Sequence, residues 1–105
     1  MRKADALALA SPVYYFGVTA QLKLVIDRFF ALIQEGTNVK RAALLMTCGD
    51  ASDAAATSSI GMFRQISAYQ QWEEARIIVV PGLHTPGEIE GRPELEQARR
   101  LGGNI

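Results

Sequence analysis

Three apolar runs alternate along this chain with three stretches whose apolar residues recur at helical spacing. The first run, Asp5-Ala6-Leu7-Ala8-Leu9-Ala10, is apolar on both sides of the strand alternation. That pattern predicts a strand over residues 5–11 covered on both faces of a parallel sheet. Ser11-Pro12 ends it, because proline has no N–H for a ladder and disfavours helix for the residue before it. Val18, Leu22, Val25, Ile26, Phe29 and Ile33 then form one stripe, which predicts a helix over residues 18–33 packed on the sheet. Leu24 and Phe30 fall outside that stripe and imply a second apolar contact, with a neighbouring helix or another subunit. Lys23 and Asp27 are spaced to pair across one turn, for about 0.2–0.5 kcal/mol.

Gly36-Thr37-Asn38 reads as a turn. Residues 41–48 form a second apolar strand, ended by Gly49-Asp50. Ser52 or Asp53 can cap the helix that follows. Ile60, Phe63, Ile66 and Tyr69 supply its expected buried face, and Gly61 weakens it by up to ~1 kcal/mol. The β-branched residues 75–80 make a third strand, closed by Pro81-Gly82. After a loop over residues 84–91, Pro93 suits the first turn of a last helix. Leu95, Ala98 and Leu101 should face inward there, with Gly102-Gly103 as the stop. Three strand–helix units in this order imply a parallel α/β sheet with right-handed crossovers.

The candidate chemistry gathers where strands end, since open α/β sheets bind ligands beyond their carboxyl ends. Tyr14, Tyr15, Phe16 and Gly17 follow the first strand: three aromatics beside a flexible glycine. They can cover a planar ring, or they can pack as an aromatic cluster against a neighbouring helix or subunit. Thr47, Cys48, Gly49 and Asp50 close the second strand and should lie beside that loop. Gly49 allows close backbone approach, while Cys48 reads as a small buried hydrophobe because no basic neighbour is local to activate it. His84, the one histidine, reads as a surface-loop residue, with a proton-relay role as the alternative. One histidine, one cysteine and dispersed carboxylates make no metal-ligand constellation. Ser11 lacks a Gly-x-Ser-x-Gly frame, and Asp5 and Asp50 lack the adjacent carboxylates of a phosphorylated receiver.

Composition narrows the classes further. Eleven basic and eleven acidic residues cancel, leaving no electrostatic footprint for nucleic acid or an anionic membrane. A single cysteine excludes an intrachain disulfide and suits a reducing compartment. No apolar run approaches the ~20 residues of a membrane span, and no signal peptide is evident. The expectation is one small soluble domain of the cytoplasm.

Ala4-Asp5, the SPVYYFG run at residues 11–17 and the AQLKLVIDRF run at residues 20–29 resemble a known family. They are similar to the third strand, flavin loop and third helix of flavodoxin-like NAD(P)H-dependent FMN reductases. The combination of SPVY with Leu22-Lys23-x3-Asp27-Arg28 carries most of the likeness, which continues through residues 40–49, 72–82 and 94–105. The first strand, phosphate loop, first helix and second strand of that family have no counterpart. The resemblance implies a three-layer αβα flavodoxin-like domain over residues 1–105, reduced to its last three strands. It implies FMN as cofactor and NAD(P)H as co-substrate. Ser11, Pro12, Val13, Tyr14, Tyr15, Phe16 and Gly17 would wrap the isoalloxazine ring, with Thr47, Cys48, Gly49 and Asp50 beside it. Hydride transfer requires no acid or base, so no catalytic side chain is assigned.

Two functions follow from these readings. The chain is an FMN-dependent oxidoreductase carrying the ring-binding half of its site. Alternatively, it is a non-catalytic interaction module that retains the scaffold and binds FMN weakly or not at all. In the flavodoxin-like order 2-1-3-4-5, residues 5–11 would be an apolar edge, which natural proteins cover. A second copy of the chain, giving a homo-oligomer, or a separate partner chain should pair with it.

Overall fold

The structure is a computed structural model that describes residues 4–31 and 38–104. The stripe residue Ile33 and the turn residues Gly36 and Thr37 lie outside the described residues, as does the side chain of Phe30. Three parallel strands, β1 (Ala6–Pro12), β2 (Arg41–Thr47) and β3 (Glu73–Val80), form one sheet in the order β1-β2-β3. Helices α1 (Ala20–Arg28), α2 (Thr57–Gln70) and α3 (Pro93–Asn104) alternate with them. The expected parallel α/β arrangement is therefore what the chain adopts.

Side-chain alternation along β2 separates two layers. Ala42, Leu44 and Met46 join the core with Leu9 of β1, Ile26 and Phe29 of the first helical segment, and Phe63 and Trp72. Phe29 and Trp72 meet edge-to-face with ring centroids 5.9 Å apart, an arrangement worth about 0.5–1.5 kcal/mol beyond area burial. Leu45 faces the opposite way, toward Leu95 and Ala98 of α3. Right-handed crossovers in a constant direction put α1 and α2 on one face, and α3 returns on the other.

Several local expectations are corrected. The strand β1 is not covered on both faces: Leu9 is buried, but Ala8 and Ala10 on the α3 side are exposed, because α3 packs over β3 and β2. β1 also runs through Pro12, which pairs with Thr47; Val13 N–H, donating to Thr47 C=O at 2.8 Å, carries the ladder past it. Helix α1 starts at Ala20 rather than Val18, because the Thr19 side chain accepts from Leu22 N–H. It tightens to a 3₁₀ turn over Phe29–Ala31, and Val25 of the expected stripe is exposed.

In the second unit, Ser52 caps a 3₁₀ turn over Asp53–Ala56 before α2 begins. The face of α2 that is buried carries Ser59, Phe63 and Ser67, spaced four apart, with Ile60 and Ile66 flanking the core. Tyr69 is 70% exposed, not buried: small serines bring the helix close to the sheet and rotate Tyr69 outward. Gly102 and Gly103 do not stop α3, which continues through both to Asn104. Asn104 Nδ2 donates back to Arg100 C=O, and Asn104 C=O accepts from Arg41 Nη1, tying that end to β2.

Phe63 is 1% exposed at the centre of this core. Phe63→Ala should cost about 3–5 kcal/mol, whereas Tyr69→Ala should change stability by less than ~0.5 kcal/mol. Urea unfolding of the two variants separates the observed face from the expected one; comparable losses would contradict the packing described.

Candidate functional site

All three strands end on the same edge of the sheet, and each hands the chain to a loop there. The first loop is a miniature hairpin. Tyr14 N–H donates to Gly17 C=O at 2.9 Å, and Gly17 N–H donates to Tyr14 C=O at 3.1 Å. Only Tyr15 and Phe16 lie between the two bonds, and their φ angles are +48° and +70°. Positive φ at both central residues is the signature of a type I′ turn, which ordinarily takes Asn-Gly. For bulky side chains this is a genuine conformational outlier, costing on the order of 1–3 kcal/mol per residue. The expected flexible glycine does not carry the strain: Gly17 is outside the left-handed region, and an added Cβ would meet Tyr14 C=O at 3.8 Å, an ordinary contact.

The strained tip is open. Tyr14, Tyr15 and Phe16 are 64%, 96% and 59% exposed, and the Tyr15 and Phe16 rings meet edge-on with centroids 5.6 Å apart. Among the described residues, no protein group accepts from the Tyr15 or Phe16 N–H. The loop is held at its base instead. Ser59 of α2 donates to Phe16 C=O at 3.4 Å. Thr19 N–H donates to the buried Ser11 hydroxyl at 3.0 Å, and that hydroxyl donates to Pro12 C=O. Ser11 thus joins the end of β1 to the cap of α1, while Val13 turns toward the core.

The second loop follows β2. Cys48 is buried and continues the sheet, donating its N–H to Val80 C=O and accepting from Leu83 N–H. Its Sγ lies 3.9 Å from Asp50 C=O and 3.8 Å from Ser52 C=O. Burial, then the charges of Asp50 and Asp53, push the thiol pKa up. The group therefore stays protonated near neutrality, as a packing residue does. Asp50 is exposed, its C=O accepts from Gly82 N–H at 2.7 Å, and its carboxylate accepts from Ser52 N–H. Gly49 leaves room for an imidazole: a Cβ there would lie 3.5 Å from both Cε1 and Nδ1 of His84.

That contact brings in a residue the sequence reading placed on the surface. His84 is exposed, yet it sits against Gly49 at the same sheet edge as the aromatic loop. Its backbone N–H and that of Thr85 donate to the Glu88 carboxylate, and bonding to Thr85 and His84 lowers the Glu88 pKa. The signal available in the sequence was topological: a residue four positions beyond a parallel strand belongs to the ligand edge. Among the described residues, no three His, Cys, Asp or Glu side chains gather into a metal-binding group, and no helix is long and apolar enough to cross a membrane.

Comparison with known proteins follows the same lines. Residues 1–80 match the family model for NADPH-dependent FMN reductase. Among solved structures, the chain is similar to the Trp repressor binding protein from Bacillus subtilis, with 23% identity and a TM-score of 0.77, over 94% of this chain and 69% of that one. It is also similar to a thermophilic tryptophan halogenase from Streptomycin violaceusniger, with 18% identity and a TM-score of 0.69, over 96% of this chain and 67% of the other. At these identities the likeness establishes the fold, which is flavodoxin-like α/β. No curated protein sequence matches.

Because the folded thiol titrates above its unfolded value, the contribution of Cys48 to stability is fully present below the unfolded pKa and is lost as pH rises through the folded one. At pH 7.5, Cys48 should alkylate with iodoacetamide at least ~10-fold more slowly than a free cysteine peptide. A rate equal to the peptide's would contradict the raised pKa and the burial together.

Proposed function

The chain belongs to the NADPH-dependent FMN reductase family, and on that premise we propose that it forms the ring-binding part of an FMN site in an NAD(P)H-dependent oxidoreductase. The observation that carries this reading is the strained Tyr15-Phe16 turn. Strain of this kind clusters at ligand sites, where the surrounding structure maintains it for a purpose other than stability. Here it projects two aromatic faces into solvent together with two N–H groups that have no partner among the described residues.

These groups fit a flavin. The ring is flat and apolar at its centre and polar at its pyrimidine end. Tyr14, Tyr15 and Phe16 offer apolar faces, while the Tyr15 and Phe16 N–H groups offer donors. Pro12, Val13 and Gly17 set the loop's course, and Ser11 fixes its base. Thr47, Cys48, Gly49 and Asp50 form the neighbouring wall, with His84 behind Gly49. When bound, FMN supplies the redox chemistry, taking two electrons from NAD(P)H and passing them to an acceptor. The residues orient the ring and shield one of its faces from water; none is assigned a proton-transfer role. A buried, protonated Cys48 suits the reducing cytoplasm.

A second reading, a non-catalytic interaction module, draws on the exposed alanines of β1. Flavin titration separates the two. FMN fluorescence should be quenched on addition of the protein, and riboflavin, which lacks the phosphate, should be quenched as well. Replacing the tip with the residues the turn prefers, Tyr15→Asn with Phe16→Gly, should raise stability by at least ~1 kcal/mol and abolish quenching. Absence of quenching by the unmodified chain at millimolar FMN would leave the module reading.

A further inference from the structure

Helix α2 buries Ser59, Phe63 and Ser67 on one face. A hydroxyl pressed against the sheet is unfavourable unless something accepts its proton. Ser67 has no such partner among the described residues, so small size alone accounts for its place. Ser59 differs. It is 2% exposed, and its hydroxyl donates to Phe16 C=O at 3.4 Å, across 43 positions of sequence. It does not serve as the cap of its own helix, since the N-cap is Ala56 and no side chain caps there. Among the described residues, this is the one hydrogen bond that reaches Tyr14, Tyr15, Phe16 or Gly17 from outside the loop.

Such a bond matters because the turn's own closure does not choose its handedness. A type I turn also joins Gly17 N–H to Tyr14 C=O, with negative φ at both central residues. Tyr15 and Phe16 would adopt that form without strain. The two turns are mirror images, so the C=O of Phe16 leaves them on opposite faces. In the left-handed form observed, that oxygen meets α2 at Ser59.

We propose that Ser59 is a positioning residue of the aromatic tip. Its hydrogen bond selects the left-handed turn over the relaxed mirror image, and so presets the directions of the Tyr15 and Phe16 rings. Buried beneath the loop, Ser59 acts through the Phe16 backbone and not by touching a ligand. Its bearing on function rests on the flavin reading above. A binding-competent form that is only partly populated lowers apparent affinity by that fraction. What Ser59 adds to the left-handed population it therefore adds equally to flavin affinity. The size of the effect is modest. A separation of 3.4 Å is longer than the usual ~2.7–2.8 Å of an O–H···O bond. Losing it should lower the ratio of left-handed to relaxed turns about 2- to 10-fold.

Ser59→Ala in the 105-residue chain tests this. Alanine fits where serine does and favours helix, so the circular dichroism should be unchanged. A residue at positive φ holds its α-proton close to its own amide, and the strong intraresidue Overhauser contact that results marks Tyr15 and Phe16 in the flavin-free chain. That contact should weaken in Ser59→Ala, and quenching of FMN fluorescence should require a protein concentration higher by the same factor. Ser67→Ala, at another buried serine of the same face, should leave both readouts unmoved. In the chain carrying Tyr15→Asn with Phe16→Gly, whose turn takes positive φ readily, Ser59→Ala should leave the contact at position 15 unchanged. Unaltered contacts in Ser59→Ala, or equal losses in Ser59→Ala and Ser67→Ala, would overturn the proposal. Quenching absent from the unmodified chain would sink the flavin reading instead, while the flavin-free contacts still decide the role of Ser59.

Discussion

Two reciprocal backbone hydrogen bonds, between Tyr14 and Gly17, hold a tyrosine and a phenylalanine in a left-handed conformation that their side chains disfavour. The exposed aromatic tip of the candidate site depends on that turn being maintained. Its cost, on the order of 1–3 kcal/mol for each residue, is a considerable fraction of the ~5–15 kcal/mol by which small domains are stable. The turn must therefore be over-determined by its surroundings, and the structure supplies the means. Ser11 joins the strand end to the helix cap, Ser59 reaches across from α2 to Phe16, and Val13 extends the ladder of β1 and β2 to the base of the loop.

The parallel sheet gives the turn its setting. Because the strands are aligned, the loops at residues 12–18, 48–52 and 81–84 emerge side by side. Backbone bonds from Cys48 to Val80, Leu83 to Cys48 and Gly82 to Asp50 continue the sheet order beyond the strands proper. That continuity brings His84 against Gly49. Glu88 then braces the third loop by accepting from His84 and Thr85, so an apparently irregular segment has defined partners. A rigid frame beneath an open aromatic tip is what orienting a planar ring requires.

The sheet was legible in the sequence because parallel strands are long apolar runs, and residues 5–11, 41–48 and 75–80 had no competing pattern. The edge that carries the candidate site was legible for the same reason, since strand ends locate it. Helix faces were less so. Tyr69 lay on a plausible stripe, but Ser59 and Ser67, polar by type, are the buried positions flanking Phe63. Hydrophobic periodicity gives no weight to a serine that is buried because it is small. Gly102 and Gly103 resembled a stop, yet Asn104 and Arg41 supply the bonds that let α3 run through them. The turn itself was the least legible feature, because propensity assigns positive φ to Gly17 rather than to Tyr15 and Phe16. A conformation imposed against local preference leaves no local signature, and it sits where the family resemblance puts the ligand.

We propose that Tyr15 and Phe16 are held in strain in order to meet a flavin ring. Nuclear Overhauser contacts in a sample of the chain with FMN test it most directly. Cross-peaks should join isoalloxazine protons to the ring protons of Tyr15 or Phe16, with the Tyr15 and Phe16 amides shifting in step with flavin concentration. Flavin contacts confined to other residues, or saturating FMN that leaves the amides of this turn unmoved, would contradict it.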